Sequence, residues 1–367
     1  MTGAGVPSAA RAAVLVEPGR IEMRDIQVPG PDPTEGLLAV EGSGVCGADW
    51  AAYNGALSWL RGRSVILGHE VVGSIARLGA VAARRWGVRE GDRVVVEEPI
   101  PCGTCADCLA GSYHWCHVGL RFGATAVDEA PLLGGYADYM HLPAQALVHR
   151  ISHGIPVEEA VLFIPIANGL HWVHSVGAAR PGSTVIIHGV GQHALGCVIA
   201  AREVGAGRVI VIGTATDGGR LKIAERLGAD DTLTIDDDLV ARVKDLTGRR
   251  MGDVVINAAP SARALETSID LVARRGTVVN AGESEDRASI SLQQLIRKEV
   301  VLKGVAGRPH DAVRAAIRVI ESGRHPLDLL STDRFTLDQT ELAIQTVGRV
   351  DVASDPLHVT VTAGGAE

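Results

Sequence analysis

The chain has 367 residues, 46% hydrophobic and 21% charged, with a net charge of −8. That length exceeds one comfortable hydrophobic core and predicts two domains of ordinary globular composition. The acidic balance, the lack of a basic face and the lack of any run of 18 apolar residues exclude a nucleic-acid partner and a membrane span as expectations.

The opening stretch has no unbroken apolar run between Arg11 and Arg20, so a secretory signal is not expected and the cytoplasm is. From there to about residue 160 the chain reads as short β segments: 12–17, 36–45, 69–79 and 92–98, punctuated by Gly and Pro. The texture then changes. Residues 157–177 have helical spacing and end at Ala-Arg-Pro-Gly. Strands at 184–188, 208–212, 253–257 and 276–281 alternate with helices near 193–204, 219–227 and 262–273. Short apolar strands alternating with amphipathic helices predict a parallel sheet covered on both faces. A helix beginning at His310 and a closing strand in 356–363 finish the chain, and this tail is expected to return to the first domain.

Four of the six cysteines crowd into one stretch, Cys102, Cys105, Cys108 and Cys116, spaced C-x2-C-x2-C-x7-C. Two-residue gaps let a turn aim two thiolates at one ion, and four thiolates close a tetrahedral zinc site with no open position. A structural zinc is therefore expected, with an iron–sulfur cluster or four unrelated thiols as the alternatives. His114 and His117 lie inside this stretch as bystanders.

Residues 184–196 run strand, Gly-rich turn, helix, with Gly189, Val190, Gly191, Gln192, His193 and Ala194 in a G-x-G-x-x-A pattern. Glycines there allow a tight turn and a close backbone approach to a pyrophosphate at the helix N-terminus. The second strand ends in Gly213, where an NAD site ordinarily has an acid, and is followed by Thr214 and Arg220. That pattern leans slightly towards NADP, although Asp217 stands near enough in sequence to meet a ribose.

Taken together, Val-Cys46-Gly-Ala-Asp-Trp, Gly-His69-Glu70-Val-Val-Gly, the four-cysteine lobe and the dinucleotide unit resemble the zinc-dependent medium-chain alcohol dehydrogenases over essentially the whole chain. The resemblance implies an α/β protein with a GroES-like, β-rich catalytic domain (1–160, with 308–367 returning to it) and a Rossmann coenzyme domain (161–307). It implies an oxidoreductase that moves hydride between NAD(P) and an alcohol or carbonyl carbon of a small molecule, assembled as a homodimer or homotetramer. By position, Cys46 and His69 match ligands of a catalytic zinc, with Glu70 and Asp49 beside them. Asn168, Ala258, Ala281 and Gly282 join the Gly-rich turn as coenzyme contacts.

Two departures from the family pattern stand out. The third ligand position, just before Pro-Ile-Ala-Asn, is Ile164, and the relay hydroxyl and relay histidine positions are Ala48 and Ala51. An aliphatic side chain cannot bind zinc, so Glu70 is expected to supply the third ligand, the alternative being that it only orients a ligand from outside the metal's coordination sphere. The competing expectation is that the catalytic metal is gone, leaving a zinc-free reductase or a coenzyme-binding protein. Trp50, Tyr53 and Trp59 are expected either to wall a substrate pocket or to pack in the core, Cys197 to be core, and His171 and His174 to lie on the surface.

Overall fold

The computed structural model describes residues 6–30, 32–350 and 355–363. Chain contacts divide it into two compact units, one comprising Met1–Phe163 and Leu330–Glu367, the other Ile164–Leu329.

The first unit is built on strands. β1 (Ala9–Glu17) pairs antiparallel with β2 (Arg20–Gln27) and with β4 (Val65–Ile66). β3 (Gly36–Val45) pairs antiparallel with β5 (Glu70–Leu78), and β5 with β6 (Arg93–Val96). A short hairpin, β7 (Pro99–Ile100) with β8 (Leu120–Arg121), brackets the cysteine lobe. β9 (Tyr139–Leu142) joins β3, and β10 (Val148–Arg150) joins β6. Alternating apolar side chains from these strands form two buried clusters, one around Val14, Ile66 and Tyr136, the other around Leu38, Val71 and Met140.

The second unit is a six-stranded parallel sheet. Its strands are β11 (Thr184–His188), β12 (Arg208–Gly213), β13 (Asp231–Thr234), β14 (Gly252–Asn257), β15 (Val272–Asn280) and β16 (Val301–Gly304). The order is β13-β12-β11-β14-β15-β16, so the winding reverses between β11 and β14. Ile186, Ile210, Ile212 and Val255 are fully buried, as strands covered on both faces require. The stretch read as one helix is broken into Val157–Ala160, Phe163–Leu170 and a π-helical turn His171–Val176. Pro165 falls in the first turn of the middle piece, where its missing N–H costs no internal bond.

The chain re-enters the first unit at 330 rather than at the expected 308. Helix His310–Glu321 stays with the second unit because its flanks are tied there: Arg308 donates to Asn168 (3.4 Å), and Arg324 and His325 both bond Glu203. The last strands, β17 (Ser331–Thr336) and β18 (His358–Thr362), then extend the first unit's sheet, with β18 laid antiparallel against β3. Among the described residues, no helix is long and apolar enough to cross a membrane.

Candidate functional site

Cys46 ends β3 and caps helix Gly47–Tyr53; its backbone N–H donates to the Asp49 carboxylate at 2.8 Å. Asp49 is buried and also accepts from the Gly68 N–H (3.2 Å) and the Tyr136 hydroxyl (3.1 Å), which holds it 3.8 Å from His69 Nδ1. Asp49 thus bonds local backbone and also faces His69. Burial opposes a charge on His69, but Asp49 and Cys46 together keep its pKa well above the usual imidazole value. Burial pushes the Cys46 thiol and the Asp49 carboxyl up.

Glu70 opens β5 with its side chain fully buried. One ligand atom each from Cys46, His69 and Glu70 lies within 4.8 Å of the others. A partly buried thiol and imidazole are therefore packed against two buried carboxyl groups. That donor set suits a divalent cation, which would neutralise the charge that burial penalises. Ile164 is buried in helix Phe163–Leu170 and has no donor atom, while Ala48 and Ala51 lie on helix Gly47–Tyr53 without a proton-bearing group.

One residue at this site left no local signal in the sequence. His358, from β18, donates Nε2–H to Glu70 Oε2 at 3.1 Å, and neither side chain is exposed. A Cβ built on Gly44 would collide with the Glu70 carboxylate and meet His358 Nε2 at 2.8 Å, so glycine at 44 makes room for the pair.

Of the aromatic residues near Cys46, Trp50 and Tyr53 stack on each other at 5.9 Å and belong to the buried cluster of the first unit. The Tyr53 hydroxyl bonds Glu341 and Gln345, which locks it into packing. Trp59 is exposed.

In the lobe, the four sulfurs of Cys102, Cys105, Cys108 and Cys116 lie within 4.8 Å of one another. Cys102 to Cys108 and Cys105 to Cys116 are each 3.9 Å. A tetrahedral ion about 2.3 Å from each sulfur sets sulfurs roughly 3.8 Å apart, so the cage fits zinc. Backbone N–H groups of Cys105 and Gly119 point at Cys102 and Cys116 sulfurs (3.3 and 3.2 Å). The Thr104 N–H and hydroxyl, with the Cys105 N–H, lower the Cys102 pKa to about 6. Burial and the neighbouring thiols push Cys108 up to about 12. Leu109, Trp115 and Val118 are all exposed, so the lobe has little core to hold it without an ion. His117 faces Asp107 from the surface.

In the second unit, Gly189 follows β11 with φ +121°, and a Cβ there would meet the backbone of Ala258 and Ala259 at 3.2 Å. Gly191 caps the twelve-residue helix Gln192–Glu203, with open space where its Cβ would be. The helix N-terminus therefore faces open space at the sheet's reversal point, an arrangement that fits a pyrophosphate. Ala258 bonds the His188 carbonyl, and Ala281 and Gly282 both bond the Asn257 carbonyl, so these three form the adjoining crest of strand ends. Asn168 lies 3.4 Å from His193 Nδ1, and His193 packs against Trp172 at 5.6 Å. Val190, Gln192 and Ala194 are buried along the same turn.

At the end of β12, Asp217 Oδ2 accepts from the Thr214 N–H (2.7 Å) and hydroxyl (2.6 Å). A Cβ on Gly213 would stand 3.3 Å from that carboxylate oxygen. The Asp217 carboxylate thus lies against the end of β12 at Gly213, tied to Thr214. Arg220 sits one turn on, in helix Gly218–Leu227. Cys197 is fully buried, and burial raises its thiol.

A β-rich unit carrying a thiol–imidazole–carboxylate cluster and a cysteine cage, in one chain with a dinucleotide-type sheet, has the parts of a metal- and nicotinamide-dependent oxidoreductase. Residues 32–153 match the alcohol dehydrogenase GroES-like domain, and residues 189–322 match the zinc-binding dehydrogenase domain. A probable alcohol dehydrogenase of Mycobacterium tuberculosis is 35% identical over 96% of this chain and 98% of its own. The erythritol/L-threitol dehydrogenase of Mycolicibacterium smegmatis is 33% identical over 93% of this chain and 95% of its own. Among solved structures, a zinc-binding dehydrogenase of Sinorhizobium meliloti bound to NADP superposes with a TM-score of 0.83 at 27% identity, covering 97% of this chain and 100% of that one. The chain belongs to the zinc-dependent medium-chain alcohol dehydrogenase family. It is an NAD(P)-dependent oxidoreductase that transfers hydride to or from an alcohol or carbonyl carbon.

Proposed function

We propose that Cys46, His69 and Glu70 hold a catalytic zinc in this dehydrogenase, and that Cys102, Cys105, Cys108 and Cys116 hold a structural one. The observation that carries the reading is the convergence of one donor atom each from Cys46, His69 and Glu70 within 4.8 Å, in a chain whose usual third ligand position is Ile164. A bound zinc supplies Lewis acidity to the substrate oxygen. Cys46 and Glu70 bring two negative charges to the site, which balance the ion. His69 is oriented by Asp49, itself held by Gly68, Tyr136 and the Cys46 N–H. With alanine at 48 and 51, no side chain there relays the substrate proton, so water or a substrate group carries it.

The coenzyme binds along the Gly189–Ala194 turn, with its pyrophosphate at the N-terminus of helix Gln192–Glu203 and its nicotinamide end towards Asn168 and His193. The expectation of NADP rested on the missing acid at Gly213. Asp217 supplies that acid from four residues on, and we assign the preference to NAD(H). The substrate is a small alcohol or its carbonyl partner, and the similarity to the erythritol/L-threitol dehydrogenase of Mycolicibacterium smegmatis makes polyols the first compounds to screen.

Self-association through β16 is proposed on its position at the sheet edge, where Val301 and Leu302 are exposed beside Leu292 and Ile296 of the preceding helix. Among the described residues the six cysteines form no disulfide, which suits the reducing cytoplasm. Metal analysis with a coenzyme-coupled screen of alcohols, polyols and aldehydes tests the reading. Two zincs per chain and coenzyme turnover are expected. One zinc, held by the lobe alone, would instead favour a zinc-free reductase or a coenzyme-binding protein.

A further inference from the structure

We propose that His358 is the positioning residue that holds Glu70 as the third zinc ligand, replacing in effect the donor that Ile164 lacks. The inference rests on the reading of Glu70 as a ligand and goes beyond it, because His358 itself touches no reacting atom.

The argument begins with strand register. Gly44 on β3 pairs with Glu70 on β5 and with Thr360 on β18, so three strands converge on the one position that has no side chain. Into the gap come the Glu70 carboxylate and the His358 imidazole, bonded at 3.1 Å with neither exposed to water. Burying a carboxylate is costly unless its lone pairs are satisfied. An ionised carboxylate only accepts, so His358 Nε2 carries the proton and a neutral imidazole suffices. No net charge is added to a site where Cys46 and Glu70 already balance a divalent ion.

A carboxylate adjacent in sequence to a ligand histidine has several rotamers, and only some bring an oxygen to the metal. The bond from His358 restricts Glu70 to the conformation in which its ligand atom lies within 4.8 Å of those of Cys46 and His69. Outer partners of this kind fix ligand orientation, and losing one typically weakens metal binding about 10–100-fold.

The test is zinc retention by the full-length protein, with the lobe's zinc as an internal standard. Zinc per chain and the Kd of the weaker site are measured by chelator competition for the unaltered protein, His358→Leu, His358→Gln and Glu70→Gln. His358→Leu should weaken the Cys46 site about 10–100-fold while the lobe keeps its ion. His358→Gln retains an N–H donor and should recover most of that affinity. A merely structural role for His358 would lower thermal stability in both variants without separating the two zinc sites. If His358→Leu holds its second zinc as tightly as the unaltered protein, the inference is overturned. If Glu70→Gln also does so, the ligand role of Glu70 fails with it; if Glu70→Gln loses the metal and His358→Leu does not, only the positioning role falls. Should His358→Leu not fold, Gly44→Ala drives a methyl into the same pair and must produce the same selective loss.

Discussion

Replacing Asp217 by Asn removes one charge from the end of β12 while keeping the side chain's shape, and the structure indicates what that charge does. Its Oδ2 lies 3.3 Å from where a Cβ at Gly213 would stand, so it faces the space a ribose 2′ group would occupy. A 2′-phosphate with two negative charges about 5 Å from this half-buried carboxylate is repelled by about 1.7 kcal/mol at the dielectric of water. Partial burial lowers the effective dielectric, so this is the smaller end of the range. It corresponds to a roughly 15–20-fold bias against NADPH. In the NAD(H) reading proposed above, the carboxylate would also accept a hydrogen bond from a ribose hydroxyl, worth about 1.5–3 kcal/mol for a charged acceptor. Initial rates with NADH and NADPH, under saturating carbonyl substrate, give KM for each coenzyme. The unaltered enzyme should prefer NADH by at least about tenfold, and Asp217→Asn should erase most of that preference, chiefly by lowering KM for NADPH. A preference for NADPH in the unaltered enzyme, or an unchanged ratio in the variant, would refute the reasoning and return the choice to Thr214 and Arg220.

Cys105→Ser should release one zinc per chain and lower the thermal midpoint, while fluorescence titration shows NADH still bound by the second unit. An unchanged metal count would sink the four-cysteine assignment. Burial lowers the His188 pKa from 6.5 to about 4, so the folded state favours its neutral form. Between these values the unfolded chain binds the additional proton, so stability rises with pH and is lost on acidification, by up to about 3 kcal/mol from this residue. Denaturant unfolding from pH 7 to pH 4 should therefore be shallower in His188→Leu than in the unaltered protein; parallel curves would show that His188 is not the group responsible. Leu302→Glu places a charge on the exposed edge strand β16 and should shift the protein to monomers in sedimentation or light scattering. If the assembly is unaffected, the interface lies elsewhere.

Features whose chemistry sits within a few residues were legible in the sequence by itself. The two-residue gaps among Cys102, Cys105 and Cys108 bring thiolates together by local turns, and Cys116 follows after only seven residues more. The Gly189–Gly191 turn is local in the same way, and the alternation of apolar strands with helices from 184 onward announces a covered parallel sheet. Even the anomaly at Ile164 is visible, since one aliphatic side chain in a ligand position needs no coordinates to be noticed.

What tertiary structure alone decided are the long-range pairings. His358 meets Glu70 across 288 residues of sequence, brought there by the register of β18 against β3, and nothing near either residue announces it. More locally, the turn after β12 sets the Asp217 carboxylate against Gly213, where Thr214 ties it down, a placement that linear spacing left open. Trp50 and Tyr53 became packing residues only when a helix from the far end of the chain, Thr340–Val347, met them. The return of the chain at 330 was likewise set by bonds from Arg308, Arg324 and His325 to partners over a hundred residues away. Periodicity and motif spacing report what a segment prefers among its immediate neighbours. Which distant segment satisfies a buried carboxylate depends on sheet order and register, and those are settled by the burial of whole surfaces at once.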